Sequence, residues 1–86
     1  MQKDVVLIEW LDSKGMARWE YLDEIESMGP CVCYSVGFLI EDNDEYKTIA
    51  LGLGETQVLG RTTIPACSIR SLKKLTSSPS SCLEPE

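Results

Sequence analysis

The chain has 86 residues, 43% of them hydrophobic and 26% charged, with 14 acidic residues against 8 basic ones and no histidine. That is one domain near the small end of what folds unaided, so self-association is a natural supplement to its core. A formal net charge of −6 argues against a general nucleic-acid binder, whose phosphate contacts need a surplus of Lys and Arg, and suits a basic protein partner instead.

Residues 5–10 (VVLIEW) are dense in β-branched and aromatic side chains, with Val6, Ile8 and Trp10 on one face by period two, which predicts a strand. Asp12-Ser13-Lys14-Gly15 ends it as a turn. Between Met16 and Met28, Trp19, Leu22, Ile25 and Met28 recur at three-residue spacing, with Glu20, Asp23, Glu24 and Glu26 interspersed. This predicts a short amphipathic helix, or an ordered loop with a helical turn, stopped by Gly29-Pro30. With Asp12, the carboxylates make either an acidic docking face or a solvated surface.

Residues 31–40 (CVCYSVGFLI) form the next strand. Val32, Tyr34, Val36, Phe38 and Ile40 share one face; Cys31, Cys33, Ser35, Gly37 and Leu39 share the other. Two apolar faces suggest a strand buried on both sides or bent between layers, and an interior glycine supports the bend. The following turn, residues 41–45, carries Glu41, Asp42, Asp44 and Glu45 around Asn43. Calcium would need the alternating ligands, central glycine and terminal glutamate of an EF-hand, which are missing, so the segment reads as a solvated hairpin tip.

Residues 46–53 alternate as a strand. The Gly52-Leu53-Gly54 stretch is too short for a phosphate loop, and residues 57–64 form the fourth strand. Pro65 cannot donate to a ladder, so pairing should break there, and residues 65–68 suit a single 3₁₀ turn. In residues 69–75, Ile69, Leu72 and Leu75 fit helical spacing, while Ile69, Ser71 and Leu75 only half fit a strand; after a short turn in an all-β context a closing strand is expected. Arg70, Lys73 and Lys74, with Arg61, make the one basic cluster. From Thr76 onward the Ser- and Pro-rich composition is that of a disordered tail.

Cys31, Cys33, Cys67 and Cys82 lack the paired-knuckle spacing of structural zinc sites, and free, mostly buried thiols are expected. No apolar run precedes the first strand, which points to a cytoplasmic protein. No catalytic constellation is evident: without histidine a nucleophilic cysteine lacks its usual base, and the paired carboxylates lie in solvated turns. No cofactor or metal is expected.

Five short strands, a long first connection, an acidic hairpin and a 3₁₀ turn before the last strand match the order of small SH3-like and Sm-like β-barrels. The expected architecture is therefore an all-β barrel over residues 1–75, with a short helix or helical turn in the first long loop and a tail over 76–86. The positions expected in its core are Val6, Ile8, Trp10, Val36, Phe38, Ile40, Ile49, Leu51, Ile64, Ile69 and Leu72.

The pattern Trp10-x-Asp12-Ser13, then Cys33-x-Ser35-Val36-Gly37-Phe38-Leu39-Ile40, then Asp42 to Asp44, then Thr63-Ile64-Pro65 and Ile69 to Leu75, resembles a group of small uncharacterised proteins encoded by bacteriophages. The resemblance covers about residues 5–75. It implies an accessory protein, made in the host cytoplasm, that binds and redirects or inhibits a host component. The short basic pair that Sm-like RNA binders carry before their last strands is replaced by Ile64-Pro65-Ala66-Cys67, which weighs against RNA binding.

The leading expectation is thus a non-enzymatic binding protein that meets a host protein through Glu20, Asp23, Glu24, Asp42, Asp44 and Glu45. A second is an oligomeric barrel that sequesters a nucleotide signal with Arg61, Arg70, Lys73 and the stacking ring of Tyr34. A third, an Sm-like nucleic-acid binder, is disfavoured by charge.

Overall fold

The computed structural model describes residues 3–76. They form five antiparallel strands: β1 (Val5–Asp12), β2 (Cys31–Asp42), β3 (Tyr46–Leu53), β4 (Val58–Pro65) and β5 (Ile69–Thr76). All lie in one sheet of order β4-β3-β2-β1-β5. The tail expected over 76–86 lies, beyond Thr76, outside the described residues.

β2 is long because it serves two neighbours. Its first part pairs with β1, from Asp12 opposite Cys31 to Val5 opposite Phe38. Its last part pairs with β3, from Phe38 opposite Ala50 to Asp42 opposite Lys47, with a bulge between Leu39 and Glu41. The hand-over falls beside Gly37. A Cβ there would lie 2.7 Å from the Ala50 carbonyl oxygen and 3.2 Å from the Ile49 Cβ. The glycine is required by this close backbone approach, as the sequence pattern anticipates for a bent strand.

The register decides which side is the core. Val6 stands opposite Gly37 and Ile8 opposite Ser35, so the odd-numbered positions of β2 share the face of Val6 and Ile8. Buried Val6, Ile8, Ile49 and Ile64 form the core, with Trp10, Leu39, Ile69 and Leu72 packed against it. The Trp10 Nε1–H donates to Ser35 Oγ at 3.0 Å, satisfying the indole on this inner face. Val36, expected in the core, instead points outward and is 50% exposed. Period-two alternation sends Val32, Tyr34 and Val36 to the outer side together. Leu51 is 73% exposed for a different reason. Ala50 is the last β3 residue paired with β2, so residues 51–53 extend past the sheet body, where Gly52 and Leu53 pair only with β4.

The hairpin tip is built by Asn43, whose side-chain oxygen accepts the N–H groups of Glu45 and Tyr46, both at 2.9 Å. Lys47 Nζ bonds Asp42 Oδ1 and the Asn43 carbonyl, neutralising part of the acidic turn. On β4, Gly60 has a φ of +67°, a kink open to glycine at no cost. The chain then turns through a single 3₁₀ turn, Ala66–Ser68, with the Ala66 N–H donating to the Glu45 carbonyl at 2.9 Å. It delivers β5 to the far side of β1, where Ile8 faces Leu72. Among the described residues no ladder joins β4 to β5, so the sheet is open where a closed barrel was expected.

Gly37→Ala should lower stability by roughly 1–3 kcal/mol, because its methyl group meets backbone rather than a flexible side-chain end. Denaturant unfolding followed by far-UV circular dichroism measures this; an unchanged midpoint would contradict the close approach.

Candidate docking surface

The first long connection is an arm. Its ends meet at Asp12 and Cys31, which are cross-strand neighbours, so residues 13–30 leave and rejoin the sheet at one place. The Ser13 N–H donates to Asp12 Oδ1 at 2.8 Å as the chain departs. Between these points stands a single 3₁₀ turn, Leu22–Glu24, closed by the Glu24 N–H donating to the Tyr21 carbonyl at 3.0 Å. The helical-turn form of the expectation is the one observed; a full amphipathic helix does not form.

Every residue of the arm is exposed. Trp19 is fully so, Leu22 is 90% and Tyr21 76% exposed, and Met16, Ile25 and Met28 also face out. Scattered exposed apolar residues are ordinary, but six on one excursion are a marked patch. Glu20, Asp23 and Glu24, expected on a partner-binding surface, sit among them, and none of the ion pairs among the described residues involves the arm. The other three acidic residues, Asp42, Asp44 and Glu45, are at the opposite end of β2, so the structure separates the six into two patches. Asp42 is already held by Lys47.

The nucleotide-binding set is likewise divided. Arg61 is on β4, at one edge of the sheet, while Arg70 and Lys73 are on β5, at the other. Tyr34 is exposed on the outer face of β2 opposite Glu9. Glu9 engages the Arg70 guanidinium at 3.5 Å and places a carboxylate beside the ring meant to stack a base.

The expectation of mostly buried thiols needs correcting. Cys31 and Cys67 are exposed and Cys33 is half-buried, all three as free thiols. Cys31 lies at the root of the arm, beyond the core, and Cys67 on the 3₁₀ turn before β5. Cys31 and Cys33 face the same way, Sγ to Sγ 3.9 Å. Partial burial, the bond to Cys31, and the nearby charges of Cys31 and Asp12 together push the Cys33 thiol above its ordinary value. Cys82 lies outside the described residues. Among the described residues no three His, Cys, Asp or Glu side chains gather to hold a metal, and no helix is long and apolar enough to cross a membrane.

The arm's apolar residues are the functional candidates that the pattern hid. Their three-residue spacing reads as the inner stripe of a helix, and only the lack of a helix turns Trp19, Tyr21 and Leu22 into anchors without a seat. No protein-family model, curated protein or solved structure matches the chain.

Two outcomes follow from this geometry. Trp19→Ala should leave folding stability within about 0.5 kcal/mol of the original, since the indole packs on nothing; a larger loss by chemical denaturation would place Trp19 in the core. Maleimide labelling of Cys33 should reach half its limiting rate at a pH above that of free cysteine. Asp12→Asn should lower that pH, because it removes one of the charges opposing the thiolate.

Proposed function

We propose that this protein is a non-enzymatic, phage-encoded accessory protein that binds and modulates a host cytoplasmic protein through its acidic arm. The observation that carries this reading is the fully exposed Trp19, flanked by Tyr21 and Leu22 and set among Glu20, Asp23 and Glu24. Large aromatic anchors contribute most of the energy of protein interfaces when a partner desolvates them, and charges around them steer the encounter. The fitting partner offers an apolar cleft rimmed by Lys or Arg. The five-strand order, with β2 shared between two halves of the sheet, supports an SH3-like or Sm-like scaffold as the platform.

The chemistry of the described residues fits binding better than catalysis. The carboxylates of the arm and of the hairpin tip stand in solvent rather than lining a pocket, and among the described residues no histidine accompanies the thiols.

A photo-crosslinking amino acid placed at position 19 in bacterial cells tests the proposal. The expected result is a discrete protein adduct that disappears when Glu20, Asp23 and Glu24 are all changed to Lys, and that weakens as salt rises in lysate reconstitution. Equal adducts from a control position on the β3–β4 turn, such as Thr56, would overturn it.

A further inference from the structure

The outer face of the sheet is the second unpartnered apolar surface of the chain. Opposite the core, β1 and β2 align Leu11 with Val32, Glu9 with Tyr34, Leu7 with Val36 and Val5 with Phe38 in successive cross-strand rows. Val32, Val36 and Tyr34 are exposed on this face, and Leu7, Leu11 and Phe38 half-exposed. On its β5 side it is bounded by positive charge. Lys73 stands opposite Leu7, exposed and with no ion pair among the described residues, and Arg70 lies beside it, shared with Glu9. The face is therefore an apolar strip, interrupted only by Glu9 with its Arg70 partner, with a basic margin, the kind of surface that the docking reading asks of the arm's partner.

We infer that, in the absence of another partner, the arm of one chain seats on the β1–β2 outer face of a second copy, giving a symmetric arm-exchanged dimer. This rests on the docking reading of the arm and names an occupant for it. Two features of the structure favour a second copy. The charges are complementary within the same chain, with Glu20, Asp23, Glu24 and Glu26 outnumbering Lys14 and Arg18 on the arm, and Lys73 and the Glu9-paired Arg70 on the margin. The arm also makes no return to its own sheet, since every residue from 13 to 30 is exposed. A two-fold axis satisfies both unpartnered surfaces of both chains at once, because each arm meets the other's face. The contact covers apolar surface that the thin core leaves in water, so dimerisation adds stability where a small domain is short of it.

Sedimentation equilibrium and native mass spectrometry of the full chain read the outcome. The wild type should be a dimer, and Trp19→Ala should weaken it by at least about tenfold, as truncation of an interface anchor does. Two charge-reversed variants give the sharper test. One carries Glu20→Lys, Asp23→Lys and Glu24→Lys on the arm; the other carries Arg70→Glu and Lys73→Glu on the face. Each alone should be monomeric, since like charges then meet, and an equimolar mixture should form a heterodimer in which both contacts are restored.

A wild type that stays monomeric at about 100 μM, where even a weak specific complex is populated, would overturn the inference. Trypsin then separates the two readings. Rapid cleavage after Arg18 would leave the arm free for another partner and the docking reading standing. Protection of Arg18 in a monomer would mean that the arm folds onto its own sheet, and both readings would fall. A dimer indifferent to Trp19→Ala and to both charge reversals would overturn the arm exchange alone.

Discussion

The close approach of β3 to β2 at Gly37 is the constraint on which the rest of the structure depends. Because there is no side chain at that point, the Ala50 carbonyl can cross where a Cβ would stand, and β2 can leave β1 and continue as the partner of β3. Leu39 is thereby brought against Ile49, and the two parts of the sheet share one core. Once Gly37 faces inward opposite Val6, alternation leaves no choice for the rest of β2. Ser35 turns in to meet the Trp10 indole, and the bulkier Val32, Tyr34 and Val36 turn out. The apolar outer face is thus a by-product of where a glycine had to be.

That dependence also explains what was legible beforehand. The first four strands are legible as β-rich runs, the acidic hairpin as Asn43 among carboxylates, and the 3₁₀ turn, to within one residue, as residues 65–68. Residues 69–75, whose spacing suits a helix and only half suits a strand, become β5 because β1 has an unpaired edge to offer them. Which face of β2 is the core was not legible, since both faces are apolar and hydrophobicity favours the larger Val36 and Phe38 over Ser35 and Gly37. Only the register against β1 distinguishes them, and register is a relation between strands rather than a property of either. The same holds for Leu51, whose alternation with Ile49 is sound but whose position lies beyond the point where β2 turns away.

The arm shows the opposite failure. Its spacing satisfies the rule for an amphipathic helix, yet a helix of about a dozen residues is marginal without a surface to bury its stripe on. No strand presents one to it, so the stripe dissolves into a loop with one turn. As a result the carboxylates legible as an acidic patch are interleaved with apolar side chains that were read as facing inward. For a docking element the combination is useful: the charges keep so much exposed apolar surface from associating indiscriminately, while the aromatic side chains supply contact area.

The meeting of the arm's two ends at Asp12 and Cys31 has an evolutionary side. Because the excursion leaves and returns at one cross-strand pair, its length and sequence can change without shifting the register of any strand. On the docking reading proposed above, residues 13–30 form a cassette whose sequence can follow the surface they engage without disturbing the sheet. Gly37, Val6 and Ile8 are tied to one another and are not free to change alone. On that reading, rewriting the loop while keeping the sheet would change the partner and leave the framework intact.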